Sequence, residues 1–383
     1  MHDSDQPVDP DTVSDILHRN NQLDAIGGRA TLIRLQSRTP NPSSAKRYAR
    51  IVLDHSVLRS VIAYGYDIVE DAYALPDETT GIRMRLESLL EILDRTAARG
   101  GARSFTDVME SWIESMNLRA TGDTSALSTG FIDLDKILGG GLHPGQLVVV
   151  CGRTSMGKTA FAGSLALNIS ARAPVLVSSI EMRELELADR WVAAAARVEL
   201  ATIRAATLNL EDWSRVDRAV TTLTTKPIWV DDHDDITVSY LRGLARSLPQ
   251  PPAAIIVDYL QLLRPGGRFD NRQEAVADIS SSLKKLARRL QIPIVALAQL
   301  NRSAESRSDK RPMLSDLRES GSIENDADVV IGLYRDKYYK PSNTDDILEA
   351  IVMKQRSGPL MTVRLHFAAE ISAVLNLADR EDF

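Results

Sequence analysis

A glycine-rich segment that ends in a lysine and a threonine carries the strongest chemical signal in the sequence. It reads Gly152-Arg-Thr-Ser-Met-Gly157-Lys158-Thr159 and matches G-x-x-x-x-G-K-[ST], between an apolar run and a helical pattern. That context favours a phosphate-binding loop over a chance match in a glycine-containing turn. Backbone N–H groups of such a loop bind phosphate, the lysine reaches the β- and γ-phosphates, and the threonine hydroxyl binds Mg²⁺. The residues predicted to bind ATP are Gly152, Arg153, Ser155, Met156, Gly157, Lys158, Thr159 and Ala160.

Three further polar residues stand at the ends of other apolar runs. Asp258 ends Ile255-Ile-Val, where a carboxylate can hold Mg²⁺ through water, although an ordinary strand-end or cap residue is the alternative. Glu181 follows Val175-Leu-Val-Ser-Ser-Ile and either polarises the attacking water or is a solvated turn residue. Gln299 follows Ile294-Val-Ala-Leu-Ala, and its amide can donate to the γ-phosphate and report its loss, a weak signal in isolation.

Two cations, Lys354 and Arg356, lie in the segment Met353-Lys-Gln-Arg-Ser-Gly-Pro between two late strand patterns. Exposed cations on a turn are usually solvated, and that is one interpretation. The other is that they reach the γ-phosphate held by another subunit, where a guanidinium stabilises the charge that spreads during phosphoryl transfer. The residues alone leave both interpretations open.

The candidate site residues need a scaffold, and the chain from Leu127 onward has the pattern of a parallel sheet. Apolar runs of strand length alternate with helical patterns, which predicts an α/β fold with a mainly parallel sheet covered by helices. The last two strands flank Gln355-Arg-Ser-Gly-Pro and predict a hairpin. The predicted strands are Leu147–Cys151, Val175–Ser179, Pro227–Asp231, Ala254–Asp258, Ile292–Ala298, Asp328–Leu333, Leu348–Lys354 and Met361–Phe367.

The first hundred residues have helical patterns instead. One helix is expected from about Ala45 and another after Leu75-Pro-Asp, and together they predict a helical hairpin. A further helix is predicted at 105–118. Its narrow apolar stripe consists of Val108, Trp112, Ile113 and Met116. We therefore divide the chain into a helical region at 1–103, a linker helix and linker at 104–126, and a phosphate-loop domain at 127–383.

Composition excludes several classes of protein. Of 383 residues, 44% are hydrophobic and 26% charged, which is ordinary for a globular protein and rules out whole-chain disorder. No run approaches the roughly 20 apolar residues that cross a bilayer, and one cysteine and six scattered histidines indicate neither a disulfide nor a zinc site. The net charge of −6 decides nothing about nucleic acid, because 18 acidic and 14 basic residues stand up to Ala120 and 34 and 32 beyond it.

Several motifs resemble the DnaB family of replicative hexameric helicases. They occur in the family's order from about Leu127 to Leu377, and Asp258-Tyr-Leu-Gln with Asp316-Leu-Arg-Glu-Ser-Gly-Ser is far more specific than a phosphate loop alone. Residues 45–97 resemble the family's helical hairpin, and residues 105–118 its linker helix. The other matching segments are Leu127-Ser-Thr-Gly-Phe-Ile-Asp-Leu-Asp, Ser179-Ile-Glu-Met, Ala298-Gln-Leu-Asn-Arg and Lys354-Gln-Arg-Ser-Gly-Pro.

The resemblance implies a RecA-like ATPase that assembles as a ring, hexameric in this family, with ATP and Mg²⁺ bound between subunits. The catalytic residues that it implies are Glu181, Lys158, Gln299, Lys354 and Arg356. Thr159 and Asp258 take the positions of the Mg²⁺ ligands. Glu181 takes that of the catalytic base, and Gln299 that of the γ-phosphate sensor. The resemblance implies DNA binding at Arg318, Glu319 and Gly321, which fall on a loop that lines the channel in this family.

The charge of residues 301–322 neither excludes nor requires this DNA contact. Four acidic residues oppose five basic ones, so a solvated loop is the alternative. A ring would repeat each contact around one channel, so few phosphate contacts per subunit would suffice. No aromatic stacking platform is evident in this segment, which favours backbone gripping. The five basic residues are Arg302, Arg307, Lys310, Arg311 and Arg318.

The implied activity is 5′→3′ translocation on single-stranded DNA and unwinding of forked DNA at a replication fork, in the cytoplasm of a bacterial or phage-infected cell. Primase or a helicase loader is a further implied partner. Residues 6–40 resemble only the last part of the family's N-terminal domain, so a shortened version of that domain is expected. Two other functions stay open: a RecA-fold ATPase of another kind, such as a recombinase or signalling ATPase, and a regulatory helicase paralogue.

Overall fold

The computed structural model of the protein describes residues 10–19, 22–31, 45–73, 104–120, 126–267, 269, 271–301, 305, 307–340 and 342–377. The chain divides into two units, Met1–Ile113 and Glu114–Phe383. Among the helices in the described ranges, none is long and apolar enough to cross a membrane.

The described part of the first unit is helical. Its helices are α1 (Pro10–Arg19), a 3₁₀ turn at Asp24–Ile26 and the 29-residue α2 (Ala45–Tyr73), which confirms the helix predicted from about Ala45. The second arm of the predicted hairpin lies outside the described residues. Helix α3 (Phe105–Ala120) confirms the helix predicted at 105–118, and the backbone N–H of Asp107 donates to Ser104 Oγ at its start.

The second unit contains one sheet in which all eight predicted strands are present. Its strand order is β3-β2-β4-β5-β1-β6-β7-β8-β9, parallel from β3 to β6 and antiparallel from β6 to β9. The ninth strand, Ala373–Asn376, was not predicted. The strands are β1 (Leu147–Gly152), β2 (Val175–Ser179), β3 (Ile228–Asp231), β4 (Ala254–Asp258), β5 (Ile294–Gln299), β6 (Val329–Tyr334), β7 (Ile347–Gln355), β8 (Thr362–Ala368) and β9 (Ala373–Asn376).

Helices connect the parallel strands, as the right-handed crossovers of such a sheet require. The described helices of the second unit, after α3, are α4 (Ile132–Ile137), α5 (Lys158–Ile169), α6 (Glu184–Ala196), α7 (Leu200–Ala205), α8 (Leu210–Leu223), α9 (Val238–Ser247), α10 (Arg272–Leu290), α11 (Gly321–Asp326) and α12 (Asp336–Tyr339). Two 3₁₀ segments, Leu260–Leu262 and Leu314–Ser320, follow β4 and precede α11.

The continuous apolar strands are explained by a core on each face of the sheet. Val148 and Val150 of β1 belong to one core together with Phe161 of α5, whereas Val149 belongs to the other together with Leu283 of α10. Successive side chains of a strand point to opposite faces, so a strand covered on both faces must be apolar at every position. Burying each such side chain stabilises the fold by about 1.5–3 kcal/mol, and these cores hold the site residues at the edge of the sheet.

Strand order decides which chain segments meet at that edge. The strands β2, β4, β5 and β1 are consecutive neighbours and parallel, so their carboxyl ends lie side by side. Ser179 pairs with Asp258, and Gly152 pairs with Gln299. The segments predicted to hold a nucleotide therefore begin on four adjacent strands, at the crevice where ligands of such sheets bind.

Candidate nucleotide-binding site

The glycine-rich segment forms a tight loop between β1 and α5. Ser155 has φ = 65° and Gly157 has φ = 95°, both in the left-handed region, and Gly157 is the residue that precedes the first turn of α5. A Cβ on Gly157 would also lie 2.7 Å from Cε2 of Phe367, so glycine is required there by backbone conformation and by space. The N-terminal end of α5 therefore lies at the wall of a cavity, where its N–H groups could bind a phosphate.

Lys158 is held in place by the loop itself. Its Nζ donates to the carbonyl oxygens of Gly152 at 2.9 Å and Arg153 at 3.2 Å. Burial lowers the pKa of Lys158, and the nearby carboxylates of Asp258 and Glu181 oppose that shift. A phosphate group would add negative charge beside the ammonium group and strengthen its charged form.

Thr159 and Asp258 meet at the position predicted for Mg²⁺. Thr159 Oγ1 donates to Asp258 Oδ2 over 3.1 Å, and Asp258 is 4% exposed. Burial, followed by the charge of Glu181, raises the pKa of Asp258 to about 6. A buried carboxylate beside a hydroxyl suits a hard divalent cation, whose charge would favour the ionised carboxylate, so the two side chains fit Mg²⁺.

Glu181 and Gln299 both reach the cavity beside the loop. The cavity has a volume of about 280 Å³ and is lined by Lys158, Thr159, Glu181 and Gln299, among other residues. Glu181 is exposed and lies two residues beyond the end of β2, in a turn rather than in the strand. Gln299 is the last residue of β5, and its Nε2 donates to Thr154 Oγ1 over 3.2 Å. The structure therefore brings both predicted residues to the phosphate loop.

Lys354 and Arg356 are not among the residues that line this cavity. Lys354 Nζ donates to the carbonyl oxygen of Glu324, and an Arg356 guanidinium nitrogen donates to that of Asn325 over 3.1 Å. Arg356 Nε also lies 3.5 Å from a carboxylate oxygen of Asp328. The two cations are thus bound to the last turn of their own α11 and to the residues after it.

Two residues predicted to bind ATP direct their side chains elsewhere. The Arg153 guanidinium pairs with Glu305 at 2.7 Å and donates to the carbonyl oxygen of Leu300 at 2.9 Å. Met156 is 1% exposed and belongs to the core under the sheet. For these two residues, only backbone groups remain for phosphate contact, because tertiary partners occupy the side chains.

The predicted DNA-binding positions lie in and after a 3₁₀ segment. Arg318 and Glu319 are in Leu314–Ser320 and Gly321 begins α11, but their side chains are outside the described part. Close by, Arg307 binds both carboxylate oxygens of Asp316, at 2.9 and 2.7 Å, and Asp316 is 2% exposed. This ion pair anchors the segment on its own chain.

Three of the loop cations counted in the sequence already have partners on their own chain. The guanidinium of Arg307 is used by Asp316, and that of Arg311 makes paired bonds of 2.7 and 2.8 Å with Glu349. Lys310 Nζ lies over the ring of Tyr339, 4.6 Å from its centre. The charge count could not reveal these partners, because Glu349 and Tyr339 lie outside the loop.

Two side chains at the cavity, those of Arg190 and Phe367, were missed in the sequence. Arg190 of α6 lines the cavity and donates to Ser372 Oγ over 3.0 Å, and burial lowers its pKa. Phe367 of β8 also lines it, and the Arg335 guanidinium lies 3.8 Å from the centre of the Phe367 ring. An arginine in a helix and an aromatic residue in a strand carry no motif, so only the tertiary arrangement identifies them.

Comparison with known proteins agrees with this geometry. The family model for the DnaB-like helicase C terminal domain matches residues 126–376, more than half of the chain. The model for the DnaB-like helicase N terminal domain matches residues 1–54. Both matches confirm the resemblance that the motifs indicate.

Two relatives and one of two solved structures match nearly the whole chain. The replicative DNA helicase DnaB of Geobacillus stearothermophilus is 38% identical over 99% of this chain and 85% of the relative. The replicative DNA helicase DnaC of Bacillus subtilis is 38% identical over 100% of this chain and 86% of the relative. A solved DnaB-like replicative helicase, described with its interactions with primase, matches at 32% identity and a TM-score of 0.71 over 98% of this chain and 89% of that one. The ATPase domain of G40P matches at 36% identity and a TM-score of 0.68 over 72% of this chain and 100% of that domain.

Proposed function

The chain belongs to the DnaB-like helicase family, and from that premise we propose that it is a replicative DNA helicase that hydrolyses ATP to move along single-stranded DNA. The observation that carries the proposal is the convergence of four strand ends on one cavity. Lys158 and Glu181 line that cavity, and Asp258 is bound to Thr159 at its wall. A phosphate loop, an acid that fits Mg²⁺ and a second acid near them are the parts that phosphoryl transfer to water requires.

Each residue has one role in the proposed hydrolysis. The N–H groups of the loop and Lys158 bind the β- and γ-phosphates, while Thr159 and Asp258 hold Mg²⁺, which when bound neutralises phosphate charge. Glu181 orients the attacking water and accepts its proton, for which its position in the turn beyond β2 is suitable. The Gln299 amide donates to the γ-phosphate in this proposal, which its hydrogen bond to Thr154 of the phosphate loop supports.

The positive charge that stabilises the transferred phosphoryl group is proposed to come in part from a second copy of the chain. Lys354 and Arg356 do not line the cavity of their own chain, and their contacts are with α11 and Asp328. In a ring, the turn after β7 of one subunit would face the γ-phosphate of the next. A guanidinium there stabilises the charge that develops on the transferred group.

Helix α3 supports assembly because its apolar side chains are exposed. Phe105, Trp112 and Ile113 are 77%, 52% and 52% exposed, and Val108 and Met116 are also exposed. Exposed apolar stripes of this kind mark interaction surfaces. We propose that the stripe docks on a neighbouring copy, and that the ring, hexameric in this family, encloses single-stranded DNA near the positions of Arg318, Glu319 and Gly321. Primase or a loader is a further proposed partner.

ATP hydrolysis and unwinding by the purified protein test the proposal. We expect ATPase activity that requires Mg²⁺ and rises with single-stranded DNA, and unwinding of a forked duplex that has a free 5′ tail. Lys158→Ala should abolish both, whereas Lys136→Ala, which changes an exposed lysine paired with Asp133, should change neither. Nucleotide hydrolysis without unwinding of any fork would contradict the helicase and favour a RecA-fold ATPase of another kind.

The assembly step has its own matched pair of variants. Trp112 in α3 and Trp213 in α8 are 52% and 55% exposed. Since buried tryptophans dominate many interfaces, Trp112→Ser should raise the concentration needed for assembly about 30-fold, and Trp213→Ser should leave it unchanged. Mass measurement with ATP and Mg²⁺ over a range of protein concentrations distinguishes the two. A wild-type protein that stays a monomer would contradict both the ring and the trans-acting cations.

A further inference from the structure

The side chain of Gln261 makes two hydrogen bonds to the backbone of Gln299. Its Nε2 donates to the Gln299 carbonyl oxygen over 3.2 Å, and its Oε1 accepts from the Gln299 N–H over 3.3 Å. A carboxamide is the side-chain group that can satisfy a peptide N–H and C=O together. The arrangement reproduces what a neighbouring strand would offer to Gln299.

A neighbouring strand is missing at that position for a topological reason. On one side, β5 pairs with β1 as far as Gly152 with Gln299. On the other side, its pairing with β4 ends at Val257 with Ala296, because the chain leaves the sheet after Asp258 and enters the 3₁₀ turn Leu260–Leu262. The last residue of β5 would therefore lack partners on that side, and Gln261 provides them.

We propose that Gln261 is a positioning residue that fixes the γ-phosphate sensor Gln299, and this deepens the function proposed above and rests on it. With its backbone held on both sides, the Gln299 side chain is directed at the phosphate loop, where Nε2 meets Thr154 Oγ1. Gln261 lies three residues after Asp258 on the same segment. Its two bonds thus link the strand that carries the Mg²⁺ ligand to the strand that carries the sensor.

The residues after Gln299 extend the link toward the DNA-binding positions. The Leu300 N–H donates to Gly152 over 3.4 Å, and the Leu300 carbonyl accepts from Arg153 over 2.9 Å. The Asn301 N–H donates to the carbonyl of Asp316, in the 3₁₀ segment that contains Arg318. Residues 299–301 are therefore a short junction that contacts both the phosphate loop and the DNA-binding segment.

A cavity of about 700 Å³ lies against this junction and supplies a matched control. Gln261, Gln273 and Gln299 all line it. Gln273, in the first turn of α10, has the same side chain as Gln261, and among the described residues it makes no side-chain hydrogen bond. A change at Gln273 thus alters the cavity wall without altering the sensor.

The test compares Gln261→Leu with Gln273→Leu in the full-length protein. Because a displacement of about 1 Å can cost up to 100-fold in rate, we expect Gln261→Leu to lower the DNA-stimulated kcat for ATP about 10-fold or more. The KM for ATP and the melting temperature should stay within two-fold and a few degrees of wild type, since the two side-chain hydrogen bonds of Gln261 go to Gln299 and not to the phosphate loop. Gln273→Leu should behave as wild type.

Two smaller changes separate positioning from folding. Gln261→Glu keeps an acceptor for the Gln299 N–H but directs negative charge at its carbonyl, and Gln261→Asn is one carbon too short to make both bonds. Both should lower the DNA-stimulated kcat while the KM for ATP and the melting temperature stay close to wild type. DNA-stimulated kcat equal to wild type in Gln261→Leu and Gln261→Asn would overturn the inference. A wild-type protein without DNA-stimulated hydrolysis would instead overturn the proposed function itself.

Discussion

The phosphate loop and the segment formed by the end of β7 and the turn after it hold their cations in different ways. Lys158 is bound to carbonyls of its own loop and faces a cavity together with Glu181. Lys354 and Arg356 are also bound to backbone carbonyls, but those belong to α11 and lie away from that cavity. The difference teaches that one chain forms the binding half of the site by itself. In the function proposed above, the charge-stabilising half would come from Lys354 and Arg356 of another copy.

The largest effect on ATP hydrolysis is expected from removing the guanidinium of Arg356. Arg356→Ala should lower the rate of ATP hydrolysis about 1000-fold, the range found for arginines that act in trans. ATP affinity should change little, because Arg356 is not part of the cavity on its own chain. Steady-state hydrolysis and binding of a fluorescent ATP analogue measure the two quantities. The matched control is Arg335→Ala, which should weaken nucleotide binding instead, because Arg335 donates to Ser155 in the loop.

Mixing two inactive variants tests whether the two halves come from different chains. Arg356→Ala subunits keep an intact loop, and Lys158→Ala subunits keep an intact guanidinium. In a ring of equal parts, about a quarter of the interfaces would combine the intact halves, and hydrolysis should return at those interfaces. If the mixture is as inactive as its components although mixed rings form, the comparison between the two regions is wrong.

The next largest effect concerns stability and depends on pH. Burial raises the pKa of Asp258 from 3.8 to about 6, so the ionised side chain lowers the stability of the protein without Mg²⁺. The protonated side chain carries no such cost at low pH, and the full cost is reached once the pH has risen through about 6. Asp258→Asn should therefore raise the free energy of unfolding by about 3 kcal/mol at pH 7.5 and by about half as much at pH 5.

Denaturant unfolding in the presence of a chelator measures this effect at both pH values. Asp133→Asn, which changes an exposed carboxylate, should alter the free energy of unfolding by less than about 0.5 kcal/mol at either pH. ATPase activity of Asp258→Asn should be lost although the variant is more stable. A variant less stable than wild type at pH 7.5 would show that the charge of Asp258 is already compensated within its own chain.

The residues around the nucleotide cavity and those of the 301–322 segment differ in how far the sequence could predict their contacts. The loop, Asp258, Glu181 and Gln299 stand at the ends of apolar runs, and strand order alone brings such ends together. Arg190 and Phe367 come from elements without a motif, so their approach to the cavity depends on packing. The partners of Arg307 and Arg311 were missed for the same reason, since a charge count treats a cation that binds Asp316 or Glu349 as free.

A smaller effect is expected from changing Glu181, the acid proposed to orient the attacking water. Glu181→Gln should lower the rate of ATP hydrolysis about 100-fold, since general-base catalysis contributes at least that much, while ATP affinity is kept. Glu184→Gln changes an exposed acid three residues later, at the start of α6, and should have no effect. Single-turnover hydrolysis with pre-bound ATP separates the chemical step from binding. Equal rates of ATP hydrolysis in the two variants would contradict the proposed role of Glu181 as the general base.

The smallest effect compares a bound cation with one at a predicted DNA-binding position. Arg311 is bound to Glu349 by two short bonds, and Arg307 is bound to Asp316, so neither guanidinium is available to phosphate without breaking an ion pair. Arg318→Ala should therefore weaken binding of single-stranded DNA about 10-fold at moderate salt and reduce its salt dependence, whereas Arg311→Ala should change affinity less than two-fold. Fluorescence anisotropy at several salt concentrations measures both. The reverse ranking would mean that the Arg311–Glu349 ion pair opens when DNA binds and that the Arg311 guanidinium then contacts the DNA backbone.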